Sequence, residues 1–253
     1  MTSLLKNLFL LSVMLICGMY CRPMETRHPL VVYYFPYQEL QKGVFYEFTP
    51  LNNSTFPPVY WFIQSVKEGE KWYLREIYIE NDVPMQFTKE KIVSNGILAQ
   101  QVDIFIQDTT GQVIEVNGEV LAGNSFSFDV QKGQGVLLSK YLFKIPDGTQ
   151  NTTTVIKNRL YESDTTINIA NREYQSVRFA VKEIVSMGNE IDGYSEPEFS
   201  GVECYAKGVG LVYYMKRTDE RVLFEYGLKD RIPFDEAPDD LRQTIKQLLE
   251  NED

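Results

Sequence analysis

Residues 176–185, with the sequence SVRFAVKEIV, decide the fold class because apolar side chains recur there at every second position. Val177, Phe179 and Val181 would lie on one face of a strand, with the polar residues between them on the other face. The same alternation is found in residues 102–106 (VDIFI) and 222–226 (VLFEY). Strands with one buried and one solvated face are typical of antiparallel sheets.

The rest of the chain continues this pattern in both directions. Short runs of aromatic and β-branched residues are separated by Gly, Pro, Asn and Asp, and long helical periodicity is missing before the C-terminus. The candidate strands are residues 30–35, 44–48, 59–66, 72–79, 102–106, 113–116, 119–121, 126–130, 136–145, 153–161, 176–185, 204–215 and 221–226. Asn117-Gly118 predicts a two-residue hairpin turn, and Asp147-Gly148 predicts a second turn. The sequence therefore predicts a mainly β protein with a large antiparallel sheet.

Residues 238–250 predict one C-terminal α-helix. Pro238 presets the backbone of the first turn, and Asp239 and Asp240 complement the positive end of the helix dipole. The apolar residues that follow share one face: Leu241, Ile245, Leu248 and Leu249. We expect this face to dock on the sheet. A membrane-surface or partner-binding helix is the alternative, which the acidic polar face does not favour.

Two segments carry a resemblance to a group of known proteins. Residues 205–212, YAKGVGLV, resemble the YAxGVGLV strand near the C-terminus of many uncharacterised bacterial secreted proteins and lipoproteins. Residues 34–46, YFPYQELQKGVFY, resemble their opening aromatic-Pro-Leu-x-x-Gly-x-x-Tyr segment, with Tyr37 in place of the usual aliphatic residue. The resemblance implies a large, curved antiparallel sheet, similar to the half-barrel of periplasmic lipoprotein carriers. It implies no catalytic residues.

Tyr205, Gly208 and Gly210 form the structural motif within that block. Glycines two residues apart would lie on the same face of a strand, where they leave room for a bulge or for an aromatic ring that crosses the strand. A dinucleotide fingerprint would need a third glycine at the position of Tyr213, and a helix beginning there. We therefore interpret the motif as structural.

The N-terminus has the pattern of an export signal. Lys6 precedes the apolar run 8–16, which is too short to span a membrane comfortably but matches a secretory signal peptide over residues 1–21. Cys21 and Cys17 are the lipidation candidates, although neither follows the small residues that a bacterial lipoprotein signal prefers. Ordinary cleavage after Gly18 and a retained N-terminal anchor stay open. The remaining residues, 22–253, show no linker or repeat and predict a single, mostly β domain.

Composition and charge exclude several classes of function. The net charge of −10 argues against a nucleic-acid partner. His28 is the single histidine, and Cys204 is the single cysteine beyond the signal segment. Because acid/base centres and metal sites usually need more of these residues, the sequence predicts no catalytic residue, no metal and no cofactor. Cys204 is expected to be a small buried strand residue.

Aromatic residues make up 13% of the chain and are dense between residues 33 and 62. They predict sheet core and cross-strand pairs, or else an apolar surface for an acyl chain, a lipid or a sugar ring. The candidates for that ligand surface are Tyr33, Tyr46, Tyr60, Trp61 and Trp72.

The sequence thus favours a non-catalytic protein exported to the periplasm or outer membrane of a gram-negative bacterium. We expect a binding or interaction module for an unknown envelope protein or apolar ligand, held at the membrane by a lipid anchor if it is acylated. A carrier of lipid or lipidated protein is one alternative, and a glycoside or other hydrolase is another. Thr109 and Thr165, each in an Asp-Thr-Thr triplet, are candidate O-glycosylation sites.

Overall fold

The structure is a computed structural model that describes residues 28–52, 55–107, 111–130, 136–146 and 151–250. Antiparallel strands dominate it. The strands are β1 (His28–Pro29), β2 (Val44–Pro50), β3 (Val59–Glu68), β4 (Lys71–Glu80), β5 (Val83–Val93), β6 (Gly96–Gln107), β7 (Val113–Ser127), β8 (Asp129–Val130), β9 (Val136–Lys144), β10 (Thr152–Ile169), β11 (Arg172–Asn189), β12 (Gly193–Ser195), β13 (Glu198–Ala206), β14 (Gly210–Arg217) and β15 (Val222–Pro233). One α-helix, α1 (Asp239–Glu250), follows the last strand.

Twelve of the strands close into a barrel. The order β10-β9-β7-β6-β5-β4-β3-β2-β15-β14-β13-β11 is hydrogen-bonded throughout, and β10 pairs again with β11 from Ile169↔Arg172 to Thr152↔Gly188. The predicted large antiparallel sheet is therefore confirmed, and it closes completely where the resemblance implied a half-barrel. Closure gives each of the twelve strands a hydrogen-bonded neighbour on both sides.

The barrel has two different ends. At the plugged end, residues 69–70 join β3 to β4 and residues 207–209 join β13 to β14; at the far end, residues 81–82 join β4 to β5 and residues 218–221 join β14 to β15. Residues 30–43, here called the plug, run from β1 into the plugged end. Leu30, Tyr34, Phe35 and Leu40 are at most 6% exposed there.

The plug corrects one prediction. Residues 30–35 are not a strand, since Val31–Tyr33 and Tyr37–Glu39 form short 3-10 helices. The plug is held by isolated backbone hydrogen bonds and not by a strand ladder: Leu30 N–H donates to the Phe128 carbonyl, and the carbonyls of Val32, Leu40 and Gly43 accept from Gly208, Ser65 and Phe234 N–H. Leu30, Tyr34 and Phe35 are buried whereas Val31 and Val32 are exposed, so the run has the β-branched and aromatic composition of a strand without the alternating burial of one.

The turns also differ from the predicted ones. Asn117-Gly118 lies inside β7, so residues 113–116 and 119–121 belong to one continuous strand. A Cβ atom at Gly118 would lie 2.7 Å from the Val102 carbonyl oxygen. The glycine therefore allows β6 and β7 to approach each other closely near a register shift. The Asp147-Gly148 turn lies outside the described residues.

Two hairpins use left-handed turns that the sequence did not single out. Asn81 and Asp82 have φ of 51° and 63°, and Ala170 and Asn171 have φ of 49° and 62°. Asn and Asp tolerate this region, but an alanine residue in it lowers the stability of the fold by about 1–2 kcal/mol. Ala170 is thus a strained residue at the turn between the two longest strands.

We expect Ala170→Gly to raise the free energy of unfolding by about 0.5–1 kcal/mol, because relief of the positive φ outweighs the larger entropy of glycine in the unfolded chain. Ala170→Val is the comparison variant and should lower it, because a β-branched residue tolerates positive φ least. Denaturant titration of the three proteins measures the effect. Equal stability of Ala170→Gly and the parent would contradict the expectation.

The C-terminal helix is confirmed and docks on the outside of the barrel. Its buried residues Leu241 and Ile245 pack against an outward-facing cluster that includes Phe45, Phe62 and Phe87. Residues that alternate with these along the same strands face the lumen. On β2 they are Tyr46 and Phe48, which belong to the inner core. Strands β2 to β6 therefore bury both faces, one against the plug and lumen and the other against α1.

Candidate functional site

The barrel lumen contains a cavity of about 410 Å³ between the plug and the far end. This volume is within the usual range for ligand pockets, roughly 300–1,000 Å³. Its polar lining includes five carboxyl groups, from Glu76, Glu80, Glu90, Glu183 and Glu203. Three cations also line it, from Lys157, Arg159 and Lys216, together with an aromatic wall of Trp61, Tyr78, Tyr214 and Phe224.

The floor of the cavity is made by the plug. Tyr34 packs on Phe35 and on Phe126 of β7, with ring centroids 5.2 Å and 4.8 Å away. Below them Phe126, Phe179 and Tyr205 pack ring against ring at 5.1–5.8 Å, and Phe179 is fully buried. The lumen therefore has a solid aromatic half at the plugged end and a cavity in the other half.

One side of the cavity is fixed by an ion-pair network. Glu203 on β13 accepts from Arg159 Nε at 2.7 Å and from Lys157 Nζ at 2.6 Å, both on β10. Tyr205 also donates its hydroxyl to Glu203 at 3.0 Å. Burial would raise the pKa of Glu203, but Arg159 and Lys157 together lower that pKa below its ordinary value. Glu203 is consequently an ionised, fully partnered structural group.

The carboxyl groups of Glu76 and Glu90, at the base of the cavity, have no cation bound to them within the described part of the chain, unlike Glu203. The Tyr34 hydroxyl donates to the Glu90 carboxylate, and Glu76 Oε1 lies 3.4 Å from the same hydroxyl. Burial raises the pKa of Glu76 well above its ordinary value, the adjacent Glu90 raises it further, and Arg159 offsets only part of the rise. Burial and the neighbouring Glu90 therefore favour the protonated form of the Glu76 carboxyl group.

Glu76 differs from Glu90 in what it faces. Glu90 is 6% exposed, whereas Glu76 keeps more accessible surface although it lies deep in the barrel. Because Glu76 lines the cavity, that surface faces the cavity. A molecule in the lumen can therefore reach the Glu76 carboxyl group directly.

We expect Glu76→Gln to remove a pH-dependent loss of stability. The folded chain keeps the Glu76 proton that the unfolded chain releases above about pH 4–5, so the parent loses stability as the pH rises from there toward the raised pKa of the folded state. The glutamine variant binds no proton there. Between about pH 4 and pH 8, the melting temperature of the variant should rise relative to that of the parent as the pH increases. A difference that shrinks with rising pH would contradict this assignment.

The aromatic wall adds two hydrogen-bonding groups to the cavity. Trp61 and Tyr78 are 5.2 Å apart, and Tyr214 lies 6.0 Å from Phe224. Burial raises the pKa of Tyr214 and the neighbouring Trp61 lowers it in part. Among the described residues, the Trp61 indole N–H and the Tyr214 hydroxyl are both buried without a hydrogen-bond partner of ordinary geometry. Both polar atoms are covered by neighbouring side chains, so a ligand in the cavity can reach them only if the aromatic wall shifts.

A second ion pair lies nearer the far end. Lys216 Nζ on β14 is 2.5 Å from Glu183 Oε1 on β11, with side chains 24% and 18% exposed. The same ammonium group lies 4.1 Å from the centre of the Phe199 ring. Lys216 is therefore already neutralised and held by a cation–π contact.

The five aromatic residues predicted as an apolar ligand surface do not share one surface. Trp61 lines the cavity, but Tyr46 is fully buried and donates to the Val209 carbonyl at 2.9 Å. Tyr60 packs in the outer cluster beside α1. Tyr33 lies in the plug, and Trp72 packs against Tyr37 at 5.8 Å.

The glycine motif shapes the plugged end. Gly208 lies in the turn between β13 and β14 with φ of +71°, so residues 204–215 are two strands and a turn where one strand was predicted. Gly210 has φ of +101°, and a Cβ atom there would lie 2.2 Å from the Phe35 ring. The expectation of a crossing aromatic ring is correct at Gly210. The motif makes room for the plug.

The other predicted site residues have separate outcomes. Cys204 is 1% exposed on β13, and burial raises the pKa of its thiol to about 11, as expected for a structural cysteine. Thr165 lies half-buried on β10. Thr109, Cys17, Cys21 and the predicted signal segment 1–21 lie outside the described residues.

The described ranges contain no cluster of three or more His, Cys, Asp or Glu side chains placed to hold a metal ion. No helix in the same ranges has the length and apolar character needed to cross a membrane.

Together, these features define a closed antiparallel barrel with one plugged end and an internal cavity that is both aromatic and charged. Neither a protein-family model nor a curated protein matches the sequence. One similar solved structure, named "putative lipoprotein" and from Parabacteroides distasonis, superimposes with a TM-score of 0.49 at 9% identity. The match covers 78% of this chain and 96% of that chain. A likeness of this size supports no statement about function.

Proposed function

We propose that this chain is a non-catalytic binding protein, exported to the cell envelope, that holds a small ligand in the barrel cavity. The observation that carries the proposal is the 410 Å³ cavity with aromatic, carboxyl and cationic groups on its walls. A pocket with a large apolar wall and a few converging polar groups is the usual form of a small-molecule site. The net charge of −10 supports a partner other than nucleic acid.

The lining argues for a ligand with polar groups. A carrier of acyl chains would surround its cargo with apolar side chains, because a buried charge without a partner is costly. Here the carboxyl groups of Glu76, Glu80 and Glu90 line the same space as Trp61 and Tyr78. We therefore favour an amphipathic small molecule over a lipid or a lipidated protein as the ligand.

The geometry also favours binding over glycoside hydrolysis. Glycosidases place two carboxyl groups at least about 5 Å apart, on opposite sides of the bond they cleave. Glu76 and Glu90 instead approach each other and the single Tyr34 hydroxyl closely enough to share a proton. Of the other lining carboxyl groups, Glu203 and Glu183 are engaged by cations, and Glu80 accepts a hydrogen bond from the Tyr78 hydroxyl.

Export and lipidation would orient the barrel. His28 pairs with Val130 at the plugged end, and a lipidated Cys21 would precede it by seven residues, which reach at most about 25 Å. The plugged end would then face the membrane and the far end would face away from it. Such an orientation suits a ligand that enters from the aqueous compartment.

The test is mass spectrometry of the full chain, exported and processed by a gram-negative host from its own N-terminus. Denaturing spectra give the mature N-terminus and report any acylation of Cys21 or Cys17. Native spectra should show an additional small mass that disappears on denaturation. Persistent absence of any ligand, in the native spectra and after incubation with extracts of the host envelope, would contradict a binding role.

A cavity-filling variant provides the matched control. Gln86→Phe places a ring in the cavity, whereas Gln64→Phe adds the same ring on the outer surface beside α1. We expect the additional mass to be lost only in Gln86→Phe. Loss in both variants, or in neither, would show that the ligand does not occupy the lumen.

A further inference from the structure

We propose that the ligand of the cavity carries a protonated amine on an apolar body, and that Glu76 and Glu90 bind the ammonium group. This inference rests on the proposed function, because it names the chemical class of the ligand in the same cavity. It is argued from the charges of the lining, from the aromatic wall and from the carboxyl pair at the floor.

The cations of the cavity are already paired, whereas several carboxyl groups are not. Lys157 and Arg159 share Glu203, and Lys216 is paired with Glu183. Among the described residues, Glu76, Glu80 and Glu90 form no ion pair within 4 Å. The cavity can therefore accept a positively charged group. A carboxylate ligand would instead face three carboxyl groups and would find no cation in the described lining that lacks a partner.

The aromatic wall is suited to the rest of such a ligand. Trp61, Tyr78 and Tyr214 line the cavity together with Glu76 and Glu80. Aromatic faces attract cations and also bury apolar groups, and tryptophan is the strongest cation–π partner. An alkyl or aryl amine can place its charge against the carboxyl groups and its body against these rings.

The carboxyl pair is arranged as a site that gives up a proton when an ammonium binds. Tyr34 donates to Glu90 and so fixes one carboxylate, while Glu76 keeps its accessible surface toward the cavity. The titratable and charged groups near the pair are Tyr34 from the plug, Tyr46 from β2, Arg159 from β10 and Tyr205 from β13. In the empty barrel, burial and the adjacent Glu90 favour the protonated form of Glu76. When the ammonium enters, its positive charge replaces that proton, which goes to solvent, and no covalent bond to carbon changes.

The two tryptophans of the chain allow a direct assay. Trp61 lines the cavity and Trp72 packs against Tyr37 at the plugged end. In the full chain with Trp72→Phe, fluorescence therefore reports the cavity. The probes are octylammonium, octanol and octanoate, which share one body and differ in the head group.

We expect octylammonium to change the Trp61 signal and to bind about tenfold or more tightly than octanol, with octanoate weakest, because a buried charge-assisted contact is worth at least about 1.4 kcal/mol. Glu76→Gln and Glu90→Gln should each weaken octylammonium binding about tenfold and leave octanol unchanged. Glu68→Gln, at an exposed pair with Lys89 outside the cavity, is the control and should change neither. Calorimetry in two buffers of different ionisation enthalpy should detect release of a proton.

The outcomes separate the two proposals. If octanol or octanoate binds as well as octylammonium, or if Glu76→Gln leaves the preference intact, the amine inference is wrong while binding in the lumen stands. If octylammonium binds without proton release, the role of the carboxyl pair is wrong. If the native protein carries no ligand and none of the three probes reaches Trp61, the binding function itself fails.

Discussion

Replacing Glu203 by glutamine should lower the free energy of unfolding by about 3–5 kcal/mol, because removal of one partner of a buried ion pair leaves its cations uncompensated. Arg159 and Lys157 would both lose the carboxylate that lies 2.6–2.7 Å from them. Glutamine keeps the volume of the side chain, so the loss is electrostatic and not a packing defect. Denaturant unfolding followed by circular dichroism measures the change.

The outer face of β10 and of the neighbouring β11 supplies a matched control. Arg178 and Glu162 form an ion pair of similar length, 2.6 Å, but their side chains are 42% and 40% exposed. Exposed pairs contribute about 0–1 kcal/mol, so Glu162→Gln should cost little. If Glu203→Gln lowers the free energy of unfolding no more than Glu162→Gln does, the Glu203 network is solvated and does not stabilise the barrel interior.

Gly210→Ala should lower the free energy of unfolding by about 2–5 kcal/mol, which combines overpacking with the cost of a positive φ for an L-residue. The new methyl group would lie 2.2 Å from the Phe35 ring that seals the plugged end. Thermal and denaturant unfolding measure the effect. The plug would have to move, so we also expect the Trp61 environment above it to change.

The neighbouring glycine separates the two causes. Gly208 also has a positive φ, of +71°, but a Cβ atom there meets nothing within 4 Å. Gly208→Ala should therefore cost only about 1–2 kcal/mol, the conformational part. In a Phe35→Ala background the excess cost at Gly210 should disappear. If it persists, Phe35 does not pack against Gly210 and the plug is not seated as described.

The sequence was sufficient for features that depend on local periodicity. Alternation in residues 176–185 predicted strand β11, and the spacing of Leu241 and Ile245 predicted both α1 and the face by which it docks. These signals are local because one face of each element meets apolar neighbours and the other meets water. For Gly210 the sequence left a close neighbour, a bulge or a crossing aromatic ring open, and the structure shows the Phe35 ring there.

The candidate site could not be predicted because it is a polar surface inside a barrel. Glu76 and Glu80 alternate with apolar Ile77 and Ile79 on β4, which resembles a strand with its glutamates in water. In the closed barrel the apolar face is instead covered by α1 and the glutamates face the lumen. Period-two alternation indicates that the two faces differ, but it does not indicate which is inside.

The partners of these glutamates are equally invisible to local patterns. Tyr34 and Glu90 are 56 residues apart, and Arg159 and Glu203 are 44 residues apart. Barrel closure through β10 and β11 and insertion of the plug bring them together. A sequence signal was present only in the dense aromatic segment, of which Trp61 proved to line the cavity.

The most direct test of the central claim is a crystal structure of the exported, processed protein grown with and without octylammonium. We predict a lumen that is free of protein side chains between Tyr34 and Lys216, and electron density for the probe with its nitrogen about 3 Å from Glu76 or Glu90 carboxyl oxygens. A lumen filled by its own side chains, or a probe bound only on the outside of the barrel, would contradict the account.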